Sequence, residues 1–281
     1  MNFLFAAPDG HVSSLFYKRF SFAKITNSLL AASRNNIIGR PFVELISVDS
    51  TNNYAMQQVK KSLAKHGAAF FAYEQTAGKG QRNKHWQSAK GENIILSVVV
   101  EPDGLSVSRQ FLLSIVAAVS AVDLFNKYTT YLPRIKWPND IYFGDRKAGG
   151  ILIETVVNGD ECRFAVIGFG LNVNQTIFDA SLKNPISLKQ VTGQDHDVKA
   201  LAQELCARLR ERFQQLVNGE ATQLLKEYND SLYKRGLEAR FKKDTRVFNG
   251  IVRSVDSFGG LTIFNSMEET LEFGSVEWLI T

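Results

Sequence analysis

The stretch "IKWPNDIYFGDRKAGGILIET", residues 135–155, alternates short apolar segments with tight polar turns. Pro-Asn-Asp and Gly-Asp-Arg reverse a chain within a few positions, so the segments on either side are expected to pair antiparallel. A further apolar segment, "CRFAVIGF" (162–169), follows an Asn-Gly-Asp turn. The stretch therefore predicts consecutive strands of a mostly antiparallel sheet.

Outside this stretch, strands and helices do not alternate strictly. The segments with strand character that precede it are 42–47, 68–73 and 92–100. The segments with an apolar helical face are 49–67, 108–128, 197–217 and 221–232. Strands grouped together, without repeated strand–helix–strand units, predict an α+β fold with a mostly antiparallel sheet and flanking helices.

The texture of the chain changes near residue 234. Residues 234–281 contain five short β segments separated by turns. Such a pattern predicts a small SH3-like β-barrel. We therefore place a catalytic domain at 41–233 and the barrel at 234–281.

Charge and cysteine content restrict the class of protein. The net charge is +5, but residues 1–40 carry +4 of it and the rest only +1. A body so close to neutral does not predict a nucleic-acid-binding face, and no apolar run is long enough to span a bilayer. The two cysteines lack metal or redox spacing, which favours a reducing, cytoplasmic location.

Residues 1–40 are nearly free of acidic side chains and have no clear periodicity. Three interpretations stay open: an organellar transit peptide, a short helix-turn-helix, or a flexible, dispensable leader. The last is the simplest, since about forty residues leave little room for a DNA-reading domain.

Between two apolar strands lies "EQTAGKGQRNKHW", residues 74–86, which is rich in glycine and positive charge. Glycines allow close approach of the backbone to a ligand, and lysine and arginine suit phosphate oxygens. A solvated surface loop would look similar, so the segment alone does not decide. The Walker and G-x-S-x-G patterns are absent, and the four histidines are scattered.

Three further segments combine polar groups with glycine: "SVDSTNNYA" (47–55), "KWPND…RKAGGIL" (136–152) and "GFGLNVNQ" (168–175). Each could be an ordinary cap or turn. Together with the basic segment, in this order and spacing, they resemble the biotin protein ligases (biotin–acetyl-CoA-carboxylase ligases). The resemblance runs from about residue 41 to the C-terminus.

This resemblance implies a class II synthetase-like catalytic domain and a two-step reaction. Biotin and Mg-ATP give biotinyl-5′-AMP, and a lysine of a biotin carboxyl carrier domain then attacks it. The metal arrives with ATP, so no protein metal site is expected. No nucleic acid or membrane partner is implied, and a homodimer stays open.

By position, the resemblance assigns roles to individual residues. The expected catalytic residues are Lys147, Asp140, Lys79 and Arg82. The expected biotin-binding residues are Ser50, Thr51, Asn52, Gln75, Gly78, Lys79, Gly80, Gln81, Lys147, Gly149 and Gly150. The expected ATP- or adenylate-binding residues are Arg82, Lys84, Trp86 and Asn172.

The basic segment departs from the family's usual arginine-rich pattern. Lys79, Gln81 and Asn83 stand at positions of Arg, Arg and Gly type, and the lower charge is expected to alter adenylate retention. The winged helix of the bifunctional repressor–ligases has no counterpart in residues 1–40. Two alternatives stay open: a lipoate or octanoate ligase, and a biotin-responsive DNA-binding regulator.

Overall fold

The computed structural model describes residues 37–279. Most of the predicted leader, residues 1–36, lies outside them. Residues 37–40 contact the main sheet: Ile38 is 4% exposed and belongs to the core. The Gly39 amide also donates to the Gly67 carbonyl at 2.8 Å.

Seven strands form the main sheet in the order β1-β2-β3-β7-β6-β5-β4. Only β1 and β2 are parallel, and every other neighbouring pair is antiparallel. The predicted α+β class with a mostly antiparallel sheet is confirmed. The strands are β1 Phe42–Leu45, β2 Ala69–Ala72, β3 Asn93–Val100, β4 Pro133–Lys136, β5 Asp140–Phe143, β6 Arg146–Asn158 and β7 Glu161–Asn172.

In the described part of the chain, five α-helices accompany the sheet: α1 Thr51–Lys60, α2 Phe111–Asn126, α3 Leu188–Thr192, α4 Val198–Val217 and α5 Ala221–Asp230. The first is shorter than the predicted 49–67. It ends early because Ser62 adopts a left-handed conformation (φ 58°), which an α-helix cannot continue through.

The two faces of the main sheet differ because side chains alternate along each strand. Odd-numbered residues of β7, such as Ile167 and Leu171, lie in the large core with α2, α4 and α5. The even-numbered Val166 packs in a smaller cluster with Ala55 and Val59 of α1. One face is thus filled by helices, and the other is only partly covered by α1.

Helix α2 lies in the centre of the large core. Together with the turn before it, it is long and apolar enough to cross a bilayer, but 67% of that span is buried inside the protein. Its apolar composition follows from being surrounded by other elements on most sides. The helix is thus the packing centre for the sheet.

Five C-terminal strands form a second antiparallel sheet in the order β11-β10-β9-β8-β12, which we call the C-terminal sheet. Its strands are β8 Glu238–Lys243, β9 Arg246–Val255, β10 Leu261–Asn265, β11 Met267–Leu271 and β12 Glu277–Leu279.

Two side chains attach the C-terminal sheet to the rest of the protein. Asn229 of α5 donates to the Val255 carbonyl at 2.9 Å and accepts from the Val255 amide at 2.7 Å. The Trp137 indole nitrogen donates to the Gly259 carbonyl at 3.0 Å. All four groups are buried, so these bonds fix the C-terminal sheet against α5 and against the turn between β4 and β5.

Candidate active site

Gly150, Gly168 and Gly170 form a surface without side chains on the face of the main sheet that carries α1. We call this surface the glycine floor. Gly168 and Gly170 of β7 pair with Leu152 and Gly150 of β6. A Cβ atom on Gly168 would collide with the Asn52 amide, and one on Gly170 would stand 2.5 Å from the Trp86 ring. The absence of side chains at these positions lets other groups lie directly on the backbone.

The N-terminus of α1 borders this floor. Ser50 is its N-cap, and Thr51 donates to Gln75 Oε1 from both its backbone nitrogen (2.7 Å) and its hydroxyl (3.1 Å). The Gln75 oxygen is thereby occupied. Its amide nitrogen lies beside Gly78, where a Cβ atom would come within 2.7 Å of it, and keeps its donor capacity.

Two residues that the motifs do not predict complete this side of the site. Ser97 of β3 donates within a buried network to Asn52 Oδ1 (2.6 Å) and Thr51 Oγ1 (2.8 Å). Asn52 donates to the Glu154 carboxylate at 2.9 Å. Because Asn52 is only 4% exposed and bonded at both ends, it holds α1 on the sheet.

Residues 76–90, which we call the basic loop, fold back over the glycine floor. The Trp86 amide donates to the Gly78 carbonyl at 2.9 Å, and the Gly80 amide to the Lys84 carbonyl at 2.7 Å. Trp86 then packs its ring on Gly170. The indole nitrogen of Trp86 is buried and has no hydrogen-bond partner within residues 37–279.

The tip of the basic loop is a short 3₁₀ turn, Gln81–Asn83. Arg82 has left-handed backbone angles (φ 54°, ψ 46°), and its guanidinium lies beside Gly274 of the C-terminal sheet. Lys79, nearer the floor, is 3.9 Å from Glu154. The loop therefore spans from the floor to the C-terminal sheet, with its cationic side chains largely exposed.

Lys147 and Asp140 form an ion pair beside the floor. The ammonium of Lys147 lies 2.7 Å from Asp140 Oδ1, with 33% and 19% of the two side chains exposed. A Cβ atom on Gly150 would stand 3.2 Å from that oxygen and 3.5 Å from the ammonium. Gly150 thus leaves room for the pair.

Lys136 joins this group, although the motifs do not place it among the expected site residues. It faces Asp140 across the β4–β5 hairpin. Burial lowers the pKa of Lys136; Asp140 raises it, while Lys147 and Lys84 lower it further. Lys136 and Lys147 therefore both lie beside the one carboxylate of Asp140, and the charge of Lys84 also acts on Lys136, which suits a polyanionic ligand. Its position at the start of "KWPND" is the signal that could have found it.

Backbone bonds fix the segments that carry these side chains. Asn139 bonds Ile151 through both its side chain (2.5 Å) and its carbonyl (3.0 Å). Asn172 donates to the carbonyls of Lys147 (3.3 Å) and Ile186 (3.0 Å), and it is only 4% exposed. It therefore holds the Lys147 strand in place from behind.

The structure brings most of the expected site residues together around the floor. Gly149 is different: its hydrogens face Leu171 in the large core, so only its backbone can contribute to the site. Within residues 37–279, no three His, Cys, Asp or Glu side chains lie close enough to hold a metal ion.

Comparison with known proteins agrees with this arrangement. The model of the biotin/lipoate A/B protein ligase family matches residues 44–172. These residues include the glycine floor, the basic loop and the group formed by Lys136, Asp140 and Lys147, which we call the cation group. The bifunctional ligase/repressor BirA of Escherichia coli is 32% identical over 222 residues, covering 77% of this chain and 67% of BirA. The biotin–[acetyl-CoA-carboxylase] ligase of Mycobacterium tuberculosis is 28% identical over 218 residues, 76% of this chain and 79% of that protein.

The fold is also similar to a solved structure, a biotin protein ligase from Aquifex aeolicus in complex with biotin and ATP. The TM-score is 0.72 at 23% identity, covering 88% of this chain and all of that one. The chain therefore belongs to the biotin/lipoate A/B protein ligase family, among its biotin protein ligases.

Proposed function

We propose that this chain is a biotin–[acetyl-CoA-carboxylase] ligase, which activates biotin as biotinyl-5′-AMP with ATP and transfers it to a lysine of a biotin carboxyl carrier domain. The observation that carries the proposal is that the basic loop covers a glycine floor whose edge holds Lys147, Asp140 and Lys136. Relatives named biotin ligases support the same activity.

The chemistry requires two anions to meet. The biotin carboxylate attacks the α-phosphorus of ATP, an acyl-phosphate bond forms, and pyrophosphate leaves. Lys147 lies at the edge of the glycine floor, in an ion pair with Asp140. From there its ammonium offsets the repulsion between the carboxylate of biotin and the phosphate of ATP. A positioned charge of this kind is worth about 3 kcal/mol of transition-state stabilisation in a water-excluded site.

The other end of biotin is a neutral ureido ring that both donates and accepts hydrogen bonds. Gln75 offers an amide donor because Thr51 occupies its oxygen. Ser50, Thr51 and Asn52 build the wall of this pocket, and Gly78 to Gln81 cover it. We place biotin on the floor, with its carboxylate toward Lys147.

ATP is placed at the outer edge of the site. Arg82 and Lys84 of the basic loop supply cations for the phosphates, and Trp86 offers an indole donor that no group within residues 37–279 accepts. Asn172 acts through the backbone of Lys147. Magnesium enters as the Mg-ATP complex, as substrate, since its charge helps neutralise the triphosphate.

The remaining expectations concern architecture and partners. We propose that the C-terminal sheet is an SH3-like barrel beginning near residue 234, which helps bind ATP and the acceptor domain. Its attachment through Asn229 and Trp137 supports this role. A cytoplasmic location fits the two free, buried cysteines.

One incubation tests the activity directly. The full chain is mixed with biotin, Mg-ATP and a biotin carboxyl carrier domain, and the product is read by streptavidin blot. We expect label on the acceptor only when all three are present. An acceptor that stays unlabelled, although the chain is folded and the acceptor is accepted by a known ligase, refutes the proposal.

A lipoate or octanoate ligase is the second candidate, because the matching family model includes lipoate ligases. A pocket with hydrogen-bonding partners for a ureido ring should reject an acid that lacks this ring. Calorimetry with biotin and with lipoate separates the two: tighter binding of lipoate would reverse the assignment.

A further inference from the structure

The ammonium of Lys136 lies between two aromatic rings from different sheets. It stands 5.2 Å from the ring centre of Tyr142, on β5, and 5.8 Å from that of Trp278, on β12. Both distances are within the range in which a cation is attracted to a ring face. Trp278 of the C-terminal sheet therefore contacts Lys136 of the site.

Trp278 is held rigidly from behind. It pairs with Phe241 across β12 and β8, with ring centres 4.8 Å apart, and its ring centre lies 5.8 Å from that of Tyr233. Its indole nitrogen is buried and unpartnered among residues 37–279, so the residue contributes a ring face here and not a hydrogen bond. Such a side chain can fix the position of a neighbour.

Lys136 needs such a neighbour because the nearest carboxylate is already engaged. Asp140 directs Oδ1 to Lys147 at 2.7 Å, and Lys136 forms no salt bridge in the described part of the chain. The charges that act on it are those of Asp140, Lys147, Lys84 and Glu277, and the two rings lie against it. Repulsion from Lys147 and Lys84 would drive a flexible lysine outward.

We propose that Trp278 is a positioning residue: its ring face holds the Lys136 ammonium at the site, where it meets the phosphates of ATP. The inference rests on the proposed function and extends it, since it makes the C-terminal sheet part of the ATP site through one identified contact.

The test compares Trp278→Leu and Trp278→Phe with a matched control, Phe264→Leu. Phe264 lies in the same sheet and faces the guanidinium of Arg253 at 5.4 Å, a contact of the same kind away from the site. The full-length variants are assayed for biotin-dependent exchange of labelled pyrophosphate into ATP. Biotin affinity by calorimetry and the melting temperature are recorded in parallel.

We expect Trp278→Leu to raise the KM for ATP roughly fivefold, the size of one cation–π contact, with kcat and biotin affinity little changed. Trp278→Phe should recover most of the loss, and Phe264→Leu should behave as wild type. In a Lys136→Ala background, Trp278→Leu should add nothing.

A wild-type KM for ATP in Trp278→Leu, or a loss that adds fully to that of Lys136→Ala, overturns the inference. If Trp278→Leu does not fold, Trp278→Met decides, because it also lacks a ring face: a raised KM at an unchanged melting temperature supports the inference, and an unchanged KM overturns it. Wild-type exchange activity is the reference throughout, so a wild type without exchange refutes the proposed function instead.

Discussion

Replacing Lys147 by alanine separates the contribution of this residue to catalysis from its contribution to stability. The substitution removes the ammonium that lies 2.7 Å from Asp140 and leaves the β6 backbone, which is bonded to Asn184 and Ile186, unchanged. If Lys147 brings the two anions together, the first reaction step should fail while the protein stays folded.

The two magnitudes differ widely. The Lys147–Asp140 side chains are 33% and 19% exposed, so solvent screens the pair, and its loss should lower the unfolding free energy by about 1 kcal/mol at most. That corresponds to a melting temperature lower by about 2–4 °C. The loss of a charge aimed at the developing transition state should slow the reaction roughly 100- to 1000-fold.

Biotin-dependent exchange of radiolabelled pyrophosphate into ATP measures the first step alone, and thermal melting measures the fold. Lys147→Arg is the matched control, because it keeps the charge and changes its geometry. We expect this variant to retain more exchange activity than Lys147→Ala. Exchange by Lys147→Ala within about tenfold of wild type would contradict the central role given to this ammonium.

Three further predictions follow from individual contacts. Gly170→Ala should displace the Trp86 ring, since the new methyl group would stand 2.5 Å from it. The affinity for biotinyl-5′-AMP, measured by calorimetry, should fall at least about tenfold. An unchanged affinity would show that the ring is not held by the floor. Asn229→Ala should lower the unfolding free energy by about 2–4 kcal/mol, because it leaves the buried amide and carbonyl of Val255 unpaired. Urea denaturation measures this loss, and an unaltered urea midpoint would argue against this attachment. Burial lowers the pKa of Lys136, so this side chain loses its charge at a lower pH than a free lysine does. The KM for ATP should therefore rise as the pH increases toward the alkaline range. Lys136→Arg should abolish that rise, and a rise that persists in this variant would assign it to another group.

Much of the main sheet could be predicted from local patterns. Alternating apolar residues and tight turns mark β4 to β7, and their pairing follows because two- and three-residue turns leave no other partner within reach. The parallel pairing of β1 with β2 was not predictable in this way, since α1 and residues 61–68 separate them.

The site could be predicted only where its residues are close together in sequence. Lys147, Gly150 and Asp140 lie within one hairpin, so their proximity follows from the pairing. The bond from Asn52 to Glu154 joins residues 102 positions apart, and no local pattern reports it. The contact of Trp278 with Lys136 is more distant still and depends on how the C-terminal sheet docks.

The glycine floor restricts how this enzyme can change its choice of acid. At Gly168 and Gly170 every possible substitution adds atoms to a surface that is already in contact with Asn52 and Trp86. No mutation there can enlarge the binding space, and each one displaces Asn52 or Trp86 from the floor. A new acid can therefore be accommodated by changes in the surrounding segments but not in the floor. Lineages that alter their substrate should differ first in the basic loop and in α1.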